Sequence, residues 1–123
     1  MKIVADKDIP FVQRLFSSIG DVTLADARQI TPELINDTDI LIVRTVTNVN
    51  DVLLQGSSLK FVASATSGID HIDTDTLQDK GIGFAYAPGC NARSVAEYVL
   101  SVLFVLAQHY EFKLTEKSVG LIG

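Results

Sequence analysis

The chain has 123 residues, 47% apolar and 20% charged, a balance that excludes a disordered segment, while 8 Gly and 3 Pro exclude a collagen-like one. Fifteen acidic against ten basic residues give a net charge of −5, and without a basic run the chain is not expected to bind nucleic acid. A single cysteine precludes an internal disulfide, the first residues form no signal peptide, and no apolar run reaches the length of a membrane span, so a cytoplasmic location is expected.

In chain order, short uncharged runs rich in β-formers alternate with helix-like segments. The first run is residues 3–5. Ile9, Phe11, Val12, Leu15, Phe16 and Ile19 then recur at three- and four-residue spacing, and Gly20 stops them. A second run covers residues 22–25. Thr31-Pro32-Glu33-Leu34 reads as an N-cap followed by Pro at the first helical position. Residues 40–43 form the third run, and residues 50–56 read as a short helix ending at Gly56. The fourth run is residues 61–64. Residues 73–81 repeat the helix design, with Asp73 as N-cap and Gly81 as stop. The fifth run is residues 83–87. Because the runs do not alternate polar with apolar, they fit strands covered on both faces, as in a parallel sheet. Alternation of strand and helix predicts an α/β, doubly wound parallel sheet of five strands, flavodoxin-like, with the order 2-1-3-4-5 taken as the common solution for five such units.

The last third differs. Asn91-Ala92-Arg93-Ser94 opens a helix in which only Glu97 is charged between Val95 and Ala107. Such a helix needs cover on nearly all sides, and a 123-residue chain has little to cover it with. A polar run, residues 108–118, leads into Val119-Gly120-Leu121-Ile122-Gly123, which reads as a new strand reaching a glycine-rich turn. The expected organisation is therefore one domain over residues 1–110, hinge helix included, and the start of a second, cut short, over residues 111–123.

In open α/β sheets, ligands bind beyond the carboxyl ends of the strands. The residues collected there are Asp6, Arg44, Thr45, Thr47, Thr66, Ser67, Gly68, Ile69 and the turn Pro88-Gly89-Cys90-Asn91. Hydroxyls, a guanidinium and a glycine that bares backbone N–H groups suit a small carboxylate or phosphate. The alternative is structural, with Arg44 paired to Asp6 and the hydroxyls closing turns. Asp70-His71-Ile72-Asp73-Thr74-Asp75 lacks the glycine and distal Glu of a calcium loop, so no metal is expected. Cys90 reads as a small residue in a tight turn. Glu97 is either a general base or tied to a backbone amide or a nearby Arg, and His109 is expected to be exposed.

Four motifs carry a resemblance that runs through the whole chain: Ile42-Val43-Arg44-Thr45, Ser67-Gly68-Ile69-Asp70, Asn91-Ala92-Arg93-Ser94-Val95-Ala96-Glu97 and the terminal Val119-Gly120-Leu121-Ile122-Gly123. Together they resemble the N-terminal part of the D-isomer-specific 2-hydroxyacid dehydrogenases. The resemblance implies NAD-dependent oxidation of a small, anionic, phosphorylated hydroxyacid to its 2-oxo acid. It implies substrate contacts from Thr45 and Thr66, and backbone amides of Ser67, Gly68 and Ile69 on the substrate carboxylate, with Arg44 a weaker candidate. Residues 91–97 match the hinge helix. The family's catalytic Arg, Glu and His, and its full glycine motif, match nothing in this chain. No catalytic residue is therefore expected here, NAD would be held by a further domain whose glycine motif Gly123 begins, and the parent protein would be a homodimer. Other readings are a sibling acting on phosphoglycerate or another hydroxyacid, and a non-enzymatic flavodoxin-like module such as a receiver. A receiver needs an Asp at the end of the third strand, where this chain has Arg44-Thr45.

Overall fold

The computed structural model describes residues 1–121, which form two units, the first Met1–Pro88 and the second beginning at Gly89. The first holds five strands, β1 (Lys2–Asp6), β2 (Asp21–Ala25), β3 (Ile40–Val43), β4 (Phe61–Ser64) and β5 (Gly83–Tyr86). All pair in parallel, as the strand–helix alternation predicts, and their order is β2-β1-β3-β4-β5, the common arrangement for five such units. Ile3, Val4 and Ala5 of β1 and Leu41, Ile42 and Val43 of β3 are all buried, because both faces of the sheet centre are covered.

Side-chain alternation divides this burial into two cores. Val4, Leu41, Val43 and Val62 face Ile30, Ile35, Leu54, Leu77 and Ile82. Ile3, Ala5 and Ile42 face Val12, with Ile9 and Phe16 at the margin.

The connecting helices are short. α1 (Val12–Phe16) is one turn and a half and buries only Val12. Phe11 precedes it in the left-handed region (φ 60°), so the expected apolar face does not continue through it, and Phe11, Leu15 and Ile19 are exposed. α2 (Pro32–Ile35) begins at Pro32 as the sequence predicts, though the Thr31 side chain makes no cap bond to the backbone. α3 (Thr74–Asp79) is capped by Asp73, which accepts from the Thr76 N–H at 3.0 Å and the Thr76 hydroxyl at 2.7 Å. Gly81 (φ 68°) ends it, with the Ile82 N–H donating to the Leu77 carbonyl at 2.9 Å. This Schellman closure needs a left-handed residue where only glycine is unstrained.

The segment 50–56 is not a helix. Asn50 Oδ1 accepts from the Leu53 N–H (3.0 Å), and successive turns fill the rest. The asparagine side chain offers the backbone a local alternative to the helical ladder.

The second unit is built on α4 (Ala92–His109), 18 residues long. It closes as α3 does, with the Phe112 N–H on the Ala107 carbonyl (3.0 Å), but here Glu111 takes the left-handed position (φ 54°). A single 3-10 turn, Leu114–Glu116, follows. None of the residues of α4 is buried, apolar as the helix is. Val119, Gly120 and Leu121 form no strand, and Gly123, expected to begin the glycine motif, lies outside the described residues.

Candidate functional site

Because the strands are parallel, the ends of β1, β3, β4 and β5 bring Asp6, Arg44, Thr45, Ala65, Thr66 and Ala87 to one edge. Asp6 is fully buried. Its carboxylate accepts from Arg44 Nε at 2.8 Å and Nη2 at 3.1 Å, and from the Asp8 N–H at 3.0 Å. Arg44 Nη2 donates also to Asp8 Oδ2 at 2.8 Å. A buried carboxylate is tolerable only with such partners, and the bidentate fork of arginine supplies them. Hydrogen bonding to Asp6, with the charges of Asp6 and Asp8 behind it, raises the Arg44 pKa above its ordinary value. Arg44 thus ties the end of β3 to that of β1, and two carboxylates meet its charge.

Thr45 follows in an exposed turn closed by the Thr47 N–H on the Arg44 carbonyl (3.2 Å). The buried Thr47 hydroxyl anchors that turn by donating to the Ala27 carbonyl at 3.2 Å. Beyond β4, the Ala65 N–H donates to the Val43 carbonyl (2.9 Å) and the Ala87 N–H to the Thr66 carbonyl (3.3 Å), which fixes the start of the loop. Its far end is held by a parallel bridge: the Val49 N–H donates to the His71 carbonyl and the Asp73 N–H to the Val49 carbonyl, both at 2.8 Å. Between these anchors, Thr66, Ser67 and Ile69 are half-buried and Gly68 is exposed. No atom beyond its chain neighbours comes within 4 Å of where a Gly68 Cβ would stand.

Under the loop lies a polar pair that residue types did not single out as a site. The Ser64 hydroxyl is 2.8 Å from the Thr66 hydroxyl and 3.1 Å from His71 Nε2. Ser64 and His71 are both buried. Burial lowers the His71 pKa below its ordinary value, and the Asp70 charge opposes this in part. The available signal was Ser64 closing the otherwise apolar run Phe61-Val62-Ala63, seven residues before a histidine.

This edge offers hydroxyls and exposed backbone to a small oxyanion. Among the described residues, no three His, Cys, Asp or Glu are grouped as a metal would need, and no helix is long and apolar enough to cross a membrane. Residues 110–121 contain no strand leading through glycine into a helix, so the described residues do not fit a dinucleotide. The 530 Å³ concavity lined by Lys7, Ile9, Phe11, Arg14 and Leu24 lies on the β2 side and takes in none of Thr45, Thr66 or Gly68. In the second unit, Glu97 accepts from Arg93 Nε at 2.8 Å, both side chains being exposed. This is the nearby-Arg alternative. His109 is exposed, its ring edge-on to Tyr110.

The fold is an all-parallel α/β sheet in the order 2-1-3-4-5, with hydroxyl-bearing loops after its third and fourth strands in sequence. The chain belongs to the D-isomer specific 2-hydroxyacid dehydrogenase family: the model of that family's catalytic domain matches residues 2–120. It is 52% identical over all 123 residues to the erythronate-4-phosphate dehydrogenase of Baumannia cicadellinicola subsp. Homalodisca coagulata, and 48% identical to that of Yersinia enterocolitica serotype O:8 / biotype 1B. The chain spans 33% of the length of each. Among solved structures, it superposes on Aquifex aeolicus D-lactate dehydrogenase, solved with NAD and lactic acid, with a TM-score of 0.70 at 22% identity. That match covers 86% of this chain and 34% of the other. It also superposes on Entamoeba histolytica 3-phosphoglycerate dehydrogenase, solved with NAD, with a TM-score of 0.69 at 25% identity over 84% of this chain and 38% of that one.

Proposed function

We propose that this chain is the substrate-binding part of an NAD-dependent dehydrogenase that oxidises 4-phospho-D-erythronate to 2-oxo-3-hydroxy-4-phosphobutanoate. The observation that carries the proposal is about 50% identity to erythronate-4-phosphate dehydrogenases along the whole chain. The loops of the candidate site agree with it. Val43-Arg44-Thr45-Val46-Thr47-Asn48-Val49-Asn50, Thr66-Ser67-Gly68-Ile69-Asp70-His71-Ile72-Asp73 and Ala87-Pro88-Gly89-Cys90-Asn91-Ala92 all resemble that enzyme.

In this reading the Thr45 and Thr66 hydroxyls donate to the substrate anion, and the backbone N–H groups of Ser67, Gly68 and Ile69 hold its carboxylate. Arg44 braces the edge through Asp6 and Asp8 rather than supplying the counter-charge. Bound NAD would supply the acceptor for the C2 hydride, and a base the acceptor for the hydroxyl proton. Neither the dinucleotide site nor that base belongs to this chain. Residues 1–110 would then form the substrate domain with its hinge helix and residues 111–123 begin the nucleotide-binding domain. The whole enzyme would be a cytoplasmic homodimer serving pyridoxal phosphate synthesis.

The test is a graft. This chain replaces the matching 123 residues of the Yersinia enterocolitica enzyme. The chimera should oxidise 4-phosphoerythronate with NAD at a KM within about tenfold of the parent's, a difference below about 1.4 kcal/mol. Thr45→Ala and Thr66→Ala in it should each raise the substrate KM, by about 1.5–3 kcal/mol for a lost bond to a charged ligand, and leave the NAD KM alone. A chimera that binds NAD but prefers 3-phosphoglycerate or D-lactate would overturn the substrate assignment.

A further inference from the structure

We infer that His71 is a positioning residue for the substrate: acting through Ser64, it forces the single proton of the Thr66 hydroxyl to point outward as a donor. The inference rests on the proposed role of Thr66 and adds two residues to it.

The direction of each bond follows from the number of protons available. The Thr66 hydroxyl donates to the Gly68 carbonyl at 3.2 Å, so its hydrogen is committed there while no ligand is present. A hydroxyl has one hydrogen and two lone pairs. The 2.8 Å contact between Thr66 and Ser64 must then run from Ser64 to Thr66. The one hydrogen of Ser64 being so used, the 3.1 Å contact with His71 must run from Nε2–H to Ser64. The three bonds form a one-way relay from His71 to Ser64 to Thr66.

The direction decides what the site offers an anion. With Nε2 protonated, Thr66 accepts from below, and its hydrogen is free to turn from the Gly68 carbonyl to an incoming carboxylate. With the proton on Nδ1 instead, Nε2 accepts from Ser64, Ser64 accepts from Thr66, and Thr66 shows the ligand only lone pairs. A hydroxyl facing an anion with lone pairs repels it. Burial gives the relay its authority. Ser64 is 4% and His71 9% exposed, so water does not readily replace a missing link. The lowered His71 pKa keeps the ring neutral near pH 7, which makes the choice one of tautomer rather than charge. The loop itself is held by the Val49–Ile72 bridge, which uses only backbone atoms, so the side-chain relay orients a hydroxyl within a loop already fixed.

The kinetic test uses the grafted enzyme. His71→Leu, which keeps bulk but removes the donor, should raise the 4-phosphoerythronate KM by at least about fivefold and by up to the roughly ten- to 150-fold range of a bond to a charged partner, with kcat changed less than about threefold. His71→Gln, whose amide nitrogen can take the place of Nε2, should restore most of the loss. The decisive comparison is a cycle with Thr66→Val: in that background His71→Leu should have no further effect on KM, whereas a merely structural role would persist.

If Thr66→Val leaves KM unchanged, the anion site and the relay both fall. If Thr66→Val raises KM but His71→Leu does not, or does so equally in both backgrounds, only the relay falls. A measurement independent of folding variants is the ¹⁵N spectrum of the imidazoles in the unmutated 123-residue chain, which has two histidines, with His109→Gln assigning the peaks. A protonated Nε2 on His71 is expected, and a protonated Nδ1 with a bare Nε2 would overturn the relay.

Discussion

At Gly68 the backbone makes no demand for glycine. Its φ lies outside the left-handed region, and the space a Cβ would occupy is open. Gly81 contrasts with it, since there a positive φ closes α3. The absence of a side chain at Gly68 therefore matters for what approaches the loop from outside. Gly68→Ala should leave the chain as stable as before, or more so by about 0.4–1 kcal/mol through the unfolded state. In the grafted enzyme it should nonetheless raise the substrate KM if the proposed anion site is right, because a methyl would then stand in open space beside backbone that holds the carboxylate. Thermal unfolding and substrate KM measured on the same variant separate the two effects. A drop in stability with an unchanged KM would place the role of Gly68 inside the fold.

At the scale of elements, α3 shows how a six-residue helix holds its place. Asp73 satisfies its first turn, Gly81 closes its last, and Leu77, 1% exposed, is the one side chain it commits to the core. Leu77 packs in the cluster that contains Val62 of β4 and Ile72 of the Thr66 loop. Leu77→Ala should therefore cost about 2–5 kcal/mol, transfer and cavity together. Urea unfolding of the 123-residue chain checks this, and a loss under 1 kcal/mol would mean that the site collapses around the smaller side chain. The same elements show what was legible beforehand. All five strands followed from β-rich runs between helix signals, whereas the order 2-1-3-4-5 did not, since no local pattern states it and it is only the common solution for five such units. Asp73 and Gly81 were legible because cap chemistry is local. Segment 50–56 was misread because its apolar spacing, Val52-Leu53-Leu54, serves a series of turns as well as a helix, and Asn50 selects the turns. Thr45, Thr66 and Gly68 could be listed from strand ends alone. Ser64 and His71 could not, because their pairing depends on the loop folding back over β4, and no local pattern states that distance.

At the scale of the whole molecule, the two units differ in what they do with apolar residues. The first gathers a core in two clusters, although Phe11, Leu15 and Ile19 stay exposed. In the second, Tyr98 is 70%, Phe104 64% and Val105 64% exposed, and Val95, Val99 and Leu100 are exposed with them. These lie on one helix with a lone ion pair, Arg93–Glu97, near its start. Burying a large apolar side chain is worth about 1.5–3 kcal/mol, so an 18-residue helix with many such groups in water has a strong drive to find cover. Contiguous apolar surface of this kind is also what soluble monomers avoid. In solutions of the 123-residue chain alone, a second copy is the available cover, and a two-fold pairing of α4 with α4 would bury the same residues on both chains. Light scattering over a concentration series should show association in the micromolar range, with dye-detectable apolar surface at the dilute end. Phe104→Glu and Val105→Lys, placed in this helix and remote in sequence from Thr45 and Thr66, should shift the transition to higher concentration. A chain that stays monomeric at high micromolar concentration and binds no dye would mean that α4 covers its apolar residues within one molecule.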